Sequence, residues 1–143
     1  MRIYLDSSAI VKLVVDEGDA NIVASILMTY LDDTPFTCRL TRTEVFRAVS
    51  KGGLVTAERA KRFFARLDIV DVSNEVFDRA ATLEPLVRLR TLDALHLAAA
   101  LQAGSELRGL VTFDHRLAEA ARVAGVRPLP DDGSWGPVRH NGA

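Results

Sequence analysis

Ile3-Tyr4-Leu5-Asp6-Ser7-Ser8-Ala9 sets three apolar residues before an acid and two hydroxyls, and an apolar helical pattern reaching Val15 follows at once. A short buried strand running straight into a helix is the repeating unit of a parallel α/β sheet. The same order returns at Leu110-Val111-Thr112-Phe113-Asp114, where an acid again ends an apolar run and a helical stretch begins at His115. Both acids fall just past the carboxyl ends of strands. That is the edge at which open parallel sheets hold their ligands.

Working outward from these two segments, the alternation continues along the chain. The spacing predicts strands at 2–5, 36–38, 69–72, 109–113 and 126–129. It predicts helices at 8–15, 20–31, 42–51, 57–67, 74–89, 92–103 and 115–124. Strands interleaved with helices argue for a central, mostly parallel β-sheet flanked by helices on both faces, an α/β fold in three layers. The helical patterns break at Gly18-Asp19, at Asp33 through Pro35, at Gly52-Gly53, at Gly104 and at Gly125, and Glu84-Pro85 is placed to kink the helix in which it falls. At 143 residues with 48% hydrophobic content, the chain has the size of one domain with a substantial core. We assign that domain to residues 1–130. Residues 131–143 turn polar and rich in turn formers and read as a tail, in which Trp135 alone is suited to anchor it onto the domain or a partner.

A formal net charge of −1 provides no overall basic field to draw in nucleic acid, so any such contact must be local. Arg39 and Arg42 precede Glu44, Arg88 and Arg90 precede Asp93, and Arg116 follows Asp114. Arginine forks fit phosphate oxygens, although each alone reads equally as part of a solvated face or a protein contact. Cys38 is the single cysteine, which excludes an intrachain disulfide and a thiolate metal cluster and leaves a small buried residue of the second strand. No basic leader with a long apolar run opens the chain and no apolar stretch is long enough to span a bilayer, so the expectation is a soluble, cytoplasmic protein.

Two further acids join Asp6 and Asp114. Glu44 and Asp93 lie near the starts of helical stretches beginning at Thr41 and Thr91, where a threonine can cap and the helix dipole favours negative charge. Converging carboxylates hold hard cations such as Mg²⁺ or Mn²⁺, and without a cation they repel and raise one another's pKa. A cation so held activates water and neutralises charge on a phosphodiester, the chemistry of a metal-dependent nuclease. Placement alone leaves the plainer alternative open, since acids near strand ends and helix starts also serve as caps. Ser7 and Thr112 add hydroxyls that can fix a carboxylate, with capping and strand propensity as their ordinary roles. His96, three residues after Asp93 on one helix face, reads as a packed, hydrogen-bonded histidine rather than a ligand, because the second such pair of a di-iron site is missing.

Four segments then carry a resemblance: residues 3–9, Thr43-Glu44-Val45-Phe46-Arg47-Ala48, Thr91-Leu92-Asp93-Ala94-Leu95-His96-Leu97-Ala98, and Val111-Thr112-Phe113-Asp114-His115-Arg116-Leu117. Together and in this order they resemble the signature segments of PIN-domain ribonucleases, above all the VapC toxins of toxin–antitoxin pairs. The resemblance runs from Arg2 to about Pro130. It implies a PIN-like fold and an endoribonuclease whose Mg²⁺ or Mn²⁺ site is formed by Asp6, Glu44, Asp93 and Asp114. It also implies an RNA substrate, a homodimer, and a VapB-type antitoxin whose tail blocks the site. A housekeeping PIN-domain RNA-processing nuclease is the nearest alternative. An aspartyl-phosphate phosphatase of the haloacid dehalogenase kind calls for an acid two residues after the first aspartate, where this chain has Ser8. A binding module that lost its chemistry is at odds with the presence of all four acids.

Overall fold

The computed structural model describes residues 1–16, 18–83 and 89–131. Its sheet has five strands, β1 (Arg2–Leu5), β2 (Thr34–Cys38), β3 (Asp68–Val70), β4 (Leu107–Val111) and β5 (Pro128–Leu129). All are parallel, in the order β3-β2-β1-β4-β5. Among the described residues seven α-helices connect them: α1 (Ser7–Val15), α2 (Ala20–Thr29), α3 (Arg39–Val49), α4 (Gly53–Ala65), α5 (Asn74–Ala81), α6 (Thr91–Leu101) and α7 (His115–Val123).

Period-two alternation splits the core into two layers. Ile3, Leu5 and Val111 point to one face and pack with Ala9, Ile10, Val14, Val45, Val49 and Phe64 from α1, α3 and α4. Tyr4, Phe36, Cys38 and Leu110 point to the other and pack with Val76, Leu97 and Leu117 from α5, α6 and α7. α6 is buried through Leu95–Ala100, so its apolar character runs around the whole helix rather than along one stripe. At the β4–β5 contact Gly109 has a steric reason, because a Cβ there would lie 2.6 Å from the Arg127 carbonyl oxygen.

The chain builds β1, β2 and β3 outward in one direction and then returns to place β4 and β5 on the other side of β1. The switch in direction opens a crevice at the carboxyl ends of β1 and β4. Asp6 and Asp114 stand at those two ends.

Several boundaries differ from the sequence-based expectation. α3 begins at Arg39 immediately after β2, so Thr41 lies inside the helix, fully buried, and caps nothing. Thr91 is the first residue of α6 and likewise supplies no cap; the side chains that cap are those of Asp6, Ser73 and Asp114. The helix expected over 74–89 ends at Ala81. Glu84-Pro85, Arg88 and Trp135 lie outside the described residues. Among the described residues no helix is long and apolar enough to cross a membrane.

Candidate active site

Asp6 is 3% exposed and fully engaged. Its Oδ1 accepts the Ala9 backbone N–H at 3.0 Å, capping α1, and the Ser8 hydroxyl at 2.7 Å, while the Thr112 hydroxyl donates to Oδ2. Thr112 Oγ1 in turn accepts the Asp114 N–H at 3.0 Å, and Ser8 Oγ accepts the Phe113 N–H at 2.8 Å. Two hydroxyls thus lock the carboxyl ends of β1 and β4 to one another. Asp114 caps α7 through Oδ1, taking the N–H groups of Arg116 at 2.9 Å and Leu117 at 3.3 Å. Asp6 and Asp114 therefore serve as caps and at the same time hold charge at the crevice, so the two readings left open by placement coexist.

Glu44 projects from α3 and is bonded at 2.5 Å by His96 Nε2 of α6. The ring's other nitrogen lies 2.8 Å from the Tyr4 hydroxyl, which donates its proton to Cys38 Sγ at 3.2 Å. With Nδ1 beside the Tyr4 hydroxyl and Nε2 facing a carboxylate, both ring nitrogens are engaged. Burial lowers the ring's pKa, but the neighbouring Cys38, the Glu44 bond and the charges of Asp6 and Glu44 raise it to about 10. His96, 2% exposed, is therefore a buried imidazolium beneath the acids. Burial also pushes the Cys38 thiol up, and His96 and Tyr4 outweigh it, leaving the thiol at about 7. Cys38 is thus buried, as read from the sequence, but sits in a polar network that also holds Thr37 and Thr41.

Asp93, in the first turn of α6, differs from the rest. Among the described residues nothing donates a hydrogen bond to its partly buried carboxylate. Its pKa is raised by burial, then by the charge of Asp114, with Asp6 adding to the rise and His96 and Arg90 opposing it. Asp6 is raised too, by burial, against the bonds from Thr112 and Ser8 and the charge of His96. Asp93 therefore senses the charges of Asp114 and Asp6, and His96 links Asp6 to Glu44.

Among the described residues no three acidic, histidine or cysteine side chains stand close enough around one point to hold a metal ion. The donors are gathered without being pre-clustered. Their chemistry still fits a hard divalent cation: the donors are carboxylate oxygens, and among the described residues no hydrogen bond stabilises the Asp93 charge.

Of the two hydroxyls singled out in the sequence, Thr112 bridges Asp6 and Asp114, whereas the Ser7 side chain makes no hydrogen bond among the described residues. Ser8 holds Asp6 instead. Its signal was an acid followed two residues later by a hydroxyl at a helix start, a spacing that lets the side chain fold back onto its own cap. The Tyr4 and Cys38 contacts to His96 carried no sequence signal, because they join residues 34 and 92 positions apart.

The sequence matches the family model of the PIN domain over residues 3–123. This chain is a PIN-domain protein. Within that family it is 41% identical over 124 residues to ribonuclease VapC46 of Mycobacterium tuberculosis, a match covering 87% of this chain and 93% of the relative. It is also 37% identical over 126 residues to ribonuclease VapC47 of the same species, covering 86% and 92%. The chain thus belongs with the VapC-type PIN-domain ribonucleases. In three dimensions it superposes on the crystal structure of VapBC2 from Rickettsia felis bound to a DNA fragment from their promoter, with a TM-score of 0.66 and 19% identity. That match covers 90% of this chain and 97% of the other, and it establishes the shared PIN fold.

Proposed function

We propose that this PIN-domain protein is an endoribonuclease toxin of a toxin–antitoxin pair, acting in the cytoplasm with Mg²⁺ or Mn²⁺. Residues 1–130 are assigned to the nuclease domain; the tail read from the sequence at 131–143 lies, beyond Asp131, outside the described residues. The observation that carries the site is Asp93, a partly buried carboxylate that receives no hydrogen bond among the described residues and whose pKa is raised by burial and then by the charges of Asp114 and Asp6. Such a charge is costly unless a cation or a proton joins it.

Asp6, Glu44, Asp93 and Asp114 would hold the cation. When bound, it supplies activation of the attacking water and neutralises charge on the phosphoryl oxygens. The protein's own residues set the frame for that chemistry. Ser8 and Thr112 fix Asp6, the α7 cap fixes one oxygen of Asp114, and His96 fixes Glu44. His96 cannot act as a base on a ribose 2′-hydroxyl, since it is 2% exposed and both nitrogens are engaged. Attack therefore falls to water, and the products carry 5′-phosphate and 3′-hydroxyl ends.

The partner reading rests on a second surface. Leu13, Leu27, Met28, Leu31 and Phe63 of α1, α2, α4 and the segment after α2 line a groove of about 630 Å³ rimmed by Arg59, Arg62 and Arg66. Met28 is 66% and Leu31 70% exposed, an apolar patch with a reason to be covered. An antitoxin helix with an apolar face and acidic flanks fits it, with a basic side chain of its tail reaching the carboxylates. The likeness to the VapC ribonucleases supports a homodimer as the protein's own assembly.

Incubation with cellular RNA, followed by end mapping, tests the enzyme reading. Cleavage that needs Mg²⁺ or Mn²⁺ and yields 5′-phosphates supports it, and cyclic 2′,3′-phosphate ends or full activity in excess chelator overturn it. Growth arrest by the wild type, relieved by co-expressing the adjacent small gene and absent with Asp6→Asn, supports the toxin reading. Equal toxicity of Asp6→Asn defeats it, and a protein that pulls down no antitoxin is a housekeeping nuclease.

A further inference from the structure

A second cleft begins one helical turn from Glu44. It lies between α3 and α4, has a volume of about 770 Å³, and is lined by Arg42, Phe46, Arg47, Lys51 and Lys61 among others. Four cations thus meet in one concavity on a chain whose net charge is −1. Lys61 pairs with Glu58 at 3.3 Å, but among the described residues Arg42, Arg47 and Lys51 have no carboxylate partner. Unpaired cations in a concave wall create a local positive potential that the whole molecule lacks.

The arrangement is continuous with the acids. Glu44 and Arg47 are spaced i and i+3 on α3, which puts Arg47 about 4.5 Å along the helix axis from Glu44, and Lys51 follows two residues past the end of that helix. Arg42 adds a different element. Its guanidinium stacks over the Phe46 ring at 5.0 Å, and Phe46 is itself braced against Phe64 at 5.7 Å between ring centroids. An aromatic–guanidinium plane beside a row of cations is the chemistry that holds a single nucleic-acid strand, with bases stacked on planes and phosphates on the charges.

We propose that this α3–α4 cleft binds the single-stranded RNA that flanks the cleaved bond, with Arg47 and Lys51 on successive phosphates and the Arg42–Phe46 stack against a base. The assignment rests on the ribonuclease reading above and supplies what that reading lacks, a path by which an anionic strand approaches a cluster of carboxylates. A protein of almost neutral charge needs such a local track. Without it the acids would repel the substrate they cleave.

The test uses the full chain carrying Asp93→Asn, to suppress cleavage, and a fluorescein-labelled, mixed-sequence single-stranded RNA of twelve nucleotides, read by anisotropy across a range of KCl concentrations. Adding Arg47→Ala with Lys51→Ala should weaken binding by about tenfold and reduce the slope of log affinity against log salt by about 1.4, since each phosphate contact on a single strand contributes about 0.7. Arg59→Ala with Arg62→Ala, exposed arginines that line the other groove, should leave the slope in place. In the chain with Asp93 restored, the Arg47/Lys51 pair should raise KM on long RNA with kcat retained. Wild-type affinity and slope in the Arg47/Lys51 variant overturn the cleft assignment, as does an equal loss in the Arg59/Arg62 control. So does loss of an acidic protein partner with RNA binding intact. If the unsubstituted chain cleaves RNA while the cleft variant binds normally, only this inference falls; if it neither binds nor cleaves RNA with any divalent cation, the ribonuclease reading falls with it.

Discussion

The two edges of the sheet treat aspartate in opposite ways. At the amino edge Asp33, ahead of β2, accepts Arg108 Nε at 2.6 Å and Nη2 at 3.3 Å, and lies 3.2 Å from the Met1 amine. Arg108 is itself stacked on Tyr30 at 4.7 Å. The bond from Arg108 outweighs burial and holds the Asp33 carboxyl below its ordinary value. At the carboxyl edge Asp6 and Asp93 are both pushed up, and His96, the buried cation nearby among the described residues, is bonded to Glu44. One acid with two cations completes a structure; at the carboxyl edge the charges of Asp114 and Asp6 add to one another at Asp93, and on the proposed reading a divalent cation answers them. The contrast separates an ion pair that holds the fold from a cluster of acids that, on the proposed function, is kept for chemistry.

The sharpest way to break this comparison is to neutralise one acid at each edge. Asp93→Asn or Asp6→Asn should lower RNA cleavage on the order of 10²–10³-fold, the scale of losing one pre-organised charged group from a site. Both should keep the circular dichroism of the folded domain. Asp33→Asn should leave kcat unchanged, and a cleavage loss there equal to that of Asp93→Asn would erase the distinction between the edges.

The next largest effect is on stability. If the carboxyl edge lacks only a cation, Mg²⁺ or Mn²⁺ at about 100 times its Kd should stabilise the protein by about 2.7 kcal/mol, seen as a rise in melting temperature. Asp93→Asn should melt no lower than the wild type without cation and should lose more than half of that gain. A wild type whose melting temperature ignores both cations would show that the acids are satisfied by some other means.

Asp33 offers the reverse experiment. Because its folded-state pKa is depressed, its contribution is present above the ordinary aspartate value near 3.9 and is lost as pH falls through the lower folded-state value. Asp33→Asn should cost about 1.5–3 kcal/mol at pH 7, the scale of a hydrogen bond to a charged group. It should also flatten the fall in stability below about pH 4. Denaturant titrations at pH 7 and pH 3 measure both.

The smallest effect distinguishes two adjacent hydroxyls. Ser8→Ala removes a donor to Asp6 and strands the Phe113 N–H, at about 1–2 kcal/mol, whereas Ser7→Ala should fall within about 0.5 kcal/mol of wild type. Cleavage should rank Asp114→Asn as more damaging than Ser7→Ala. If Ser7→Ala proves worse than Ser8→Ala in either assay, the hydroxyl assigned to hold Asp6 is the wrong one.

The sequence by itself determined the parallel α/β fold, because alternation of apolar runs and the position of acids after Leu5 and Phe113 are local signals. It determined the family, because four short segments in order are specific even without contacts. It also placed His96 in the core, since an apolar helix such as 92–103 has few solvent-facing positions. Tertiary structure alone decided which groups meet. The Ser8 and Thr112 locks cross between β1 and β4, the Glu44–His96 bond joins α3 to α6, and the four-cation cleft needs α4 folded back on α3. It also decided that Thr41 is buried rather than capping, because α3 begins at the first residue after β2. Local chemistry fixes what a residue can do. Which partner it meets, and therefore whether a carboxylate is neutralised or left exposed to its own kind, depends on contacts between segments far apart in the chain.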